Sequence, residues 1–211
     1  MFALIKSEVR DHLVYFIGAA AISTLSVIIA VSIAYNANEL DRRIVAMTPL
    51  IPLIFISALG IAGMGSAQMY TDKNKNISAL LSTLATTRQR IFLARIITGF
   101  TAILILLLPI TITCHTLIRL FTLPIPLYTG IVYNIFFVGL SMSFACYCLG
   151  LQTGWTSNKL TPTLGALVLA LILLSLLVIK GFGLHIVIIL LLFIVCSLVR
   201  TWSRFMSMPL V

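Results

Sequence analysis

Long apolar runs alternate with short polar segments along almost the whole chain. A helix needs roughly 20 mostly apolar residues to cross a bilayer, and six runs approach or exceed that length. In chain order they cover about 14–35, 48–69, 96–118, 128–151, 163–179 and 184–199. The pattern predicts an all-α, polytopic membrane protein whose residues 14–211 form one transmembrane domain of six helices.

The residues before the first apolar run follow a different pattern. Phe2, Ile5, Val9 and Leu13 recur at helical spacing, and most of the charged residues lie away from that stripe. This arrangement predicts an amphipathic helix over 1–13 that lies in the membrane interface ahead of the first span. The alternative is a polar N-terminus that runs directly into the span.

The polar segment 70–95 separates the second and third runs and carries six charged residues. Within it, apolar residues recur at i, i+3, i+4 and i+7, the spacing of one face of a short helix. That face consists of Ile77, Leu80, Leu81 and Leu84. Asn76 precedes the face and can cap its first turn. The segment therefore predicts a short helix at the membrane surface, placed so that a push from the water would reach both neighbouring spans.

Composition narrows the chain to the class of membrane proteins, and the distribution of charge predicts its orientation in the membrane. The chain is 61% hydrophobic and 9% charged, with a mean hydropathy of +1.17, whereas soluble domains carry about 25% charged residues. The net charge of +9 is assigned to the positive-inside bias and not to nucleic-acid binding. Six spans place both termini on one side, which would hold ten Lys and Arg against four on the other. We therefore expect both termini and the segment 70–95 to be cytoplasmic, in a multi-pass protein of the cell membrane.

Several kinds of chemistry are missing from the sequence. It contains no Gly-x-x-x-x-Gly-Lys-Ser/Thr loop to hold nucleotide phosphates, so any ATP hydrolysis is expected on another chain. No catalytic residue is predicted on this chain. The six runs contain no Asp, Glu, Lys or Arg, which ion-coupled carriers usually place at mid-depth. A Ser141–His185 protease pair is disfavoured, because the two residues fall at different predicted depths.

Three soft or borderline ligands fall near the predicted outer surface: Cys114, His115 and His185. They could bind a metal or touch a haem. Buried core cysteine and interfacial histidines are the commoner interpretation, and we predict no metal site. The sequence leaves both interpretations open.

The segment 70–95 resembles the corresponding segment of type-2 ABC exporter (ABC-2) permeases. Asp72 stands where the family has an acidic residue after span two, and Leu80–Leu84 matches its Leu-Leu helix. Thr87–Arg88 matches a Ser/Thr-Arg step, and Arg95 takes the place of the basic residue that opens span three.

Two features depart from the family. Ala85 occupies a position where many members have Pro, so the helix exit differs. The short turn at 180–183 leaves little room for the re-entrant helices that many members carry between spans five and six.

The resemblance implies a permease subunit of an ATP-binding-cassette exporter. It would pair with a second permease subunit, identical or paralogous, and with a separate ATPase that holds ATP and Mg. The helix after Asn76 would be the coupling helix in a groove of that ATPase, and the helix over 1–13 the connecting helix. Thr87 would belong to the coupling contact, while Arg88 and Arg90 would meet acidic ATPase residues or lipid phosphates, or stay solvated. The uncharged spans favour an apolar or amphipathic substrate. The alternative is a non-transporting membrane scaffold or assembly subunit of a larger complex.

Overall fold

The computed structural model describes residues 2–36, 50–75, 88–121, 126–154, 160–180 and 184–206. Within these ranges every residue except His12 and Gly154 is helical. The helices of this described part are α1 Phe2–Asp11, α2 Leu13–Asn36, α3 Leu50–Lys75, α4 Arg88–Phe121, α5 Pro126–Thr153, α6 Leu160–Lys180 and α7 Leu184–Met206.

Five segments of the described helices are long and apolar enough to cross a membrane. They are Leu13–Asn36, Pro52–Tyr70, Gln89–Leu120, Gly130–Thr153 and His185–Met206. These segments support the predicted class of helical membrane protein. The fifth predicted run falls on α6, a helix of 21 residues whose side chains are described only in part, and a sixth span therefore stays a prediction.

Three helices are longer than the hydrophobic pattern predicts. The pattern ends the second span near residue 69 and begins the third near 96, whereas α3 continues to Lys75 and α4 begins at Arg88. The expected C-terminal tail is also helical as far as Met206. Hydropathy marks the part of a helix that lies in lipid, but packing continues beyond it. The Phe92 ring of α4 lies 5.2 Å from the Trp202 ring of α7, between centroids.

The helix α5 lies at the centre of the bundle. It packs against α3, α4, α6 and α7, and its contact with α3 is the most extensive in the described part. The helices α1 and α2 pack mainly on α4. Side-chain hydrogen bonds add to these contacts, since the hydroxyls of Ser57 and Ser143 lie 3.0 Å apart between α3 and α5. The Gln152 amide donates to the Ser197 hydroxyl of α7 at 2.7 Å.

Glycines allow α3 and α5 to meet backbone to backbone. A Cβ atom added at Gly150 would lie 2.2 Å from the Ala62 carbonyl oxygen, and one added at Gly65 would lie 2.6 Å from the Tyr147 carbonyl oxygen. Lipid gives apolar helices no hydrophobic reason to associate, so close packing of small residues provides much of the attraction. The Gly150 and Gly154 pair, spaced as in GxxxG motifs, faces α3 along this seam.

We expect Gly150→Ala to destabilise the protein by about 1–3 kcal/mol, the usual cost of overpacking a rigid contact. Its new methyl group must push against the backbone of α3. The matched control is Gly63→Ala in α3, where an added Cβ meets no atom of the described chain within 4 Å. The control should gain up to about 1 kcal/mol from helix propensity. The measurement is the thermal unfolding midpoint of each variant in detergent. Equal midpoints for the two variants would contradict close backbone packing between α3 and α5 at Gly150.

Candidate functional site

A cluster of polar side chains lies where α3 ends and α4 begins. We call it the polar cluster, and it consists of Glu8, His12, Gln68, Arg95 and Tyr147. Gln68 and Arg95 each lie seven positions from the helix end that faces the segment 76–87, or about 10 Å at 1.5 Å per residue. The cluster therefore lies about two turns from Lys75 and Arg88, the helix ends that flank the predicted coupling helix in the sequence.

Arg95 is the centre of the cluster and is only 2% exposed. Its Nε donates to Glu8 Oε1 of α1 at 3.2 Å, and its Nη1 donates to Met69 Sδ of α3 at 3.6 Å. The guanidinium carbon lies 5.8 Å from the ring centroid of Phe205 in α7. A buried charge is tolerated when it is paired and hydrogen-bonded. Three other helices thus converge on one side chain of α4.

Tyr147 extends the cluster to α5. Its side chain is fully buried, and its ring fills the space that Gly99 leaves on α4, since a Cβ there would lie 2.3 Å from the ring. The hydroxyl oxygen lies 2.6 Å from the atom placed as the Gln68 side-chain oxygen and 2.8 Å from the Arg95 carbonyl oxygen. One side chain therefore ties α5 to both α3 and α4.

The hydrogen count favours the opposite orientation of the Gln68 amide. A hydroxyl has one proton, yet both atoms that face Tyr147 Oη are acceptors, and Gln68 Nε2 is buried without a partner in the described part. With the amide reversed, Nε2 donates to Tyr147 Oη and the hydroxyl proton goes to the Arg95 carbonyl. The result is a directed chain of hydrogen bonds from α3 through α5 to α4.

His12 lies at the turn that joins α1 to α2. The backbone N–H of His12 donates to the Glu8 carbonyl at 3.1 Å, and that of Tyr15 donates to the His12 carbonyl at 3.0 Å. The His12 Nε2 atom lies 3.7 Å from Glu8 Oε2. Burial lowers the pKa of His12 below 6.5 and outweighs the opposing effect of Glu8 and Asp11. The imidazole is therefore mainly neutral at neutral pH, and the Glu8 charge is left to Arg95.

The predicted coupling residues fall mostly outside the described part of the chain. Asn76, Ile77, Leu80, Leu81, Leu84 and Thr87 lie in the segment 76–87, and the coupling helix stays a prediction. Arg88 is the first residue of α4. Arg90 lies in the first turn of α4 and is exposed.

A helix is present over the predicted interfacial segment, but its Glu8 makes a contact with the bundle that the apolar stripe does not predict. Phe2 and Ile5 lie on α1, Val9 is half-buried, and Leu13 opens α2 with 49% of its surface exposed. The pattern places Glu8 away from the apolar stripe, whereas Glu8 turns towards Arg95. The sequence signal for this pair is an arginine close to an apolar run, because a buried arginine needs a counter-ion. The sequence does not say which of the carboxylates provides it.

The three candidate metal ligands do not come together. In the described part of the chain, no three His, Cys, Asp or Glu side chains form a group that could hold a metal ion. Cys114 is buried in α4, and His115 packs against Tyr133 with ring centroids 5.5 Å apart. His185 lies at the start of α7 and is exposed.

Comparisons of the chain with protein-family models, with curated proteins and with solved structures find no match. The contacts of the polar cluster link α1, α3, α4 and α5 through an ion pair and a hydrogen-bond chain, and the Phe205 ring of α7 lies beside the Arg95 guanidinium. Such a junction can transmit displacement, because a shift of one helix end must break or carry along the others.

We expect Glu8→Gln to loosen α1 and to lower stability by about 1–3 kcal/mol, because it leaves a buried guanidinium without its counter-charge. Asp11→Asn removes a carboxylate from the same helix at an exposed position and is the matched control. Trypsin should cut at Lys6 and Arg10 faster in Glu8→Gln than in the control. Equal cutting rates and equal unfolding midpoints in the two variants would show that the Glu8–Arg95 pair does not hold α1.

Stability should also depend on pH through His12. Its pKa is lower in the folded protein than in the unfolded chain, so the unfolded state binds more protons as pH falls through 6.5. The contribution is complete above that value and is lost progressively below it. We expect the unfolding midpoint to drop between pH 7.5 and pH 5, and the drop to be smaller in His12→Gln. A His12→Gln profile parallel to that of the unmodified protein would assign the dependence to another group.

Proposed function

We propose that the chain is the transmembrane permease subunit of an ATP-binding-cassette exporter. It would work with a separate ATPase subunit to move an apolar or amphipathic substrate across the cell membrane. The resemblance of 70–95 to ABC-2 permeases suggests the family, and the polar cluster is the observation that carries the mechanism. It joins α1, α3, α4 and α5 near the helix ends that flank 76–87 in the sequence, and an ATPase would dock at that segment.

The proposed mechanism uses α3 and α4 as levers. Both helices lead without interruption from the membrane to the ends of the segment 76–87. An ATPase that closes on ATP would displace the coupling helix and with it the ends of Lys75 and Arg88. The backbone seam between α3 and α5 would pass this motion to the centre of the bundle. The Glu8–Arg95 pair offers two discrete arrangements, made or broken, as switching transitions require.

The proposed subunit has six spans, with α6 as the fifth, and both termini in the cytoplasm. A second permease subunit would complete the path. A crevice of about 140 Å³ lies between α2, α3 and α4, and Gly18, Ser57 and Gly60 are among its lining residues. Sites for drug-sized ligands enclose about 300–1,000 Å³, so the crevice alone is too small for such a cargo. Transport would need the second subunit or a more open arrangement of these helices.

The first test is purification of the full chain from its native membranes in a mild detergent. We expect an ATPase with nucleotide-binding motifs to accompany it, together with a second permease subunit. Recovery of other membrane proteins with no ATPase would contradict the proposal and favour a non-transporting scaffold or assembly subunit.

The second test addresses coupling. We expect Leu80→Asp and Leu81→Asp each to abolish permease-stimulated ATP hydrolysis while membrane insertion persists, because a charge on the apolar face prevents docking in a groove. Ser82→Asp adds the same charge to the opposite face of the predicted helix and should retain most of the stimulated rate. Full stimulation in both leucine variants would remove the coupling role from this segment.

A further inference from the structure

The crevice between α2, α3 and α4 has walls from three helices. Its described lining consists of Val14, Tyr15, Gly18, Ala19 and Ile22 on α2, Ile56, Ser57, Gly60 and Ile61 on α3, and Leu106 on α4. The α2 wall runs from Val14 to Ile22, or about 12 Å at 1.5 Å per residue. A volume of about 140 Å³ spread over that length makes the crevice long and narrow, with room for a single file of methylene groups.

Two glycines keep the crevice open. Gly18 on α2 and Gly60 on α3 both line it, and a Cβ atom added at either would meet no atom from elsewhere in the described chain within 4 Å. The glycines of the α3–α5 seam differ, because a Cβ at Gly150 would lie 2.2 Å from the Ala62 carbonyl oxygen. Small residues therefore let α5 close on α3, whereas between α2 and α3 they leave space. The helix α2 accordingly contacts α3 much less than it contacts α4.

The described lining offers little to water. Ser57 is the polar side chain of the α3 wall, and it is only 1% exposed. Its hydroxyl donates to the Ile54 carbonyl at 2.8 Å and lies 3.0 Å from the Ser143 hydroxyl. A buried water needs two to four polar partners, and the other polar side chain of the described lining is Tyr15, towards one end. Apolar cavities of about 150 Å³ stay dry and take up small apolar molecules instead.

The crevice opens towards lipid. Two of its lining residues, Val14 and Ile56, are 80% and 50% exposed. They lie on helices whose segments Leu13–Asn36 and Pro52–Tyr70 are long and apolar enough to cross a membrane, so in a bilayer hydrocarbon meets the opening. An empty gap forfeits the dispersion contacts of the atoms that line it, and a flexible chain from the surrounding lipid can restore them.

We propose that this crevice binds one acyl chain of a membrane phospholipid. The chain lies along α2 between Gly18 and Gly60, and its methylene groups reach Leu106 on α4. Hydrocarbon gains no hydrophobic free energy when it leaves lipid for an apolar site, so shape decides the occupant. A straight chain fits a narrow crevice, and a chain with methyl branches does not. The site requires α2 and α3 to lie in a membrane and does not depend on the proposed transport function.

Photo-crosslinking in vesicles tests where the chain lies. The full chain is reconstituted with a phosphatidylcholine that carries a diazirine near the middle of one straight acyl chain, and mass spectrometry identifies the labelled residues. Ile61 and Leu106 are 5% and 3% exposed, so lipid that only surrounds the protein labels them little. We expect both to be labelled about as strongly as Val195 on α7, which is 59% exposed. All three lie near the middle of their apolar segments, so the probe meets them at similar depth.

Filling the crevice should remove the buried labels. In Gly60→Leu the new side chain takes the space of the acyl chain. We expect labelling of Ile61 and Leu106 to fall about tenfold or more, because each displaced methylene group forfeits its dispersion contacts. Labelling of Val195, which reports on the surrounding lipid, should not change.

The matched control is Gly130→Leu. Like Gly60, Gly130 is an exposed glycine in a helix, and an added Cβ there meets no atom from elsewhere in the described chain within 4 Å. It lies outside the described lining of the crevice, so the control should leave all three labels unchanged. Gly18→Leu fills the crevice from the α2 side, and it serves if Gly60→Leu does not fold.

The outcomes separate a bound chain from general contact with lipid. Label on Val195 but not on Ile61 or Leu106 in the unmodified protein would show that no chain enters and would overturn the proposal. Equal labelling of the two buried residues in Gly60→Leu and Gly130→Leu would show that the probe reaches them by another route, and would overturn it too.

The shape requirement is tested by the surrounding lipid. Straight-chain dimyristoyl phosphatidylcholine should compete with the probe, whereas methyl-branched diphytanoyl phosphatidylcholine should not. We therefore expect a higher ratio of Leu106 label to Val195 label in the branched lipid. An equal ratio in the two lipids would contradict a site that selects straight chains.

A disulfide experiment distinguishes a lipid chain from a second copy of the protein. Gly18→Cys is combined with Cys196→Ala, which removes an exposed native thiol. We expect no disulfide-linked dimer on oxidation in vesicles, because lipid covers the crevice. A dimer that forms only when Gly18→Cys is present would assign the crevice to a neighbouring subunit and overturn the proposal.

Discussion

The burial of Arg95 is the constraint on which one end of the helix bundle depends. A guanidinium cannot lie among apolar helices without a counter-charge and hydrogen-bond acceptors, and here the carboxylate comes from α1. That requirement helps to position the N-terminal helix against α4. It also brings Met69 and Phe205 to the same side chain, so one charge organises the ends of three further helices.

Glycines make this arrangement possible by setting the distances between helices. Tyr147 can reach both Gln68 and the Arg95 carbonyl because Gly99 leaves room for its ring and Gly65 admits the backbone of α5. Any larger residue at these positions would move α5 away, and bonds of 2.6 and 2.8 Å would be lost. The polar cluster and the glycine seam are therefore one structure, in which close backbones hold polar groups within reach of each other.

The sequence predicts the membrane class well and the helix ends less well. The first span, expected over about 14–35, appears as Leu13–Asn36, because a continuous apolar run gives a clear boundary at both ends. The ends of α3, α4 and α7 extend further than the apolar runs indicate, and in α4 and α7 the rings of Phe92, Trp202 and Phe205 pack together in these extensions. The periodicity of the sequence could not predict that Glu8 pairs with Arg95, because the partner of Arg95 depends on which helices lie side by side. The coupling residues of 76–87 stay predictions, as does the orientation of the chain.

The last turns of α7 cover one side of the polar cluster. Phe205 faces the bundle, where its ring lies beside Arg95 and 5.7 Å from Phe92, between centroids. Trp202, one turn earlier on α7, lies 5.2 Å from the same Phe92 ring, between centroids. A shift of the end of α7 would therefore act on the Glu8–Arg95 pair through the aromatic ring that covers the guanidinium.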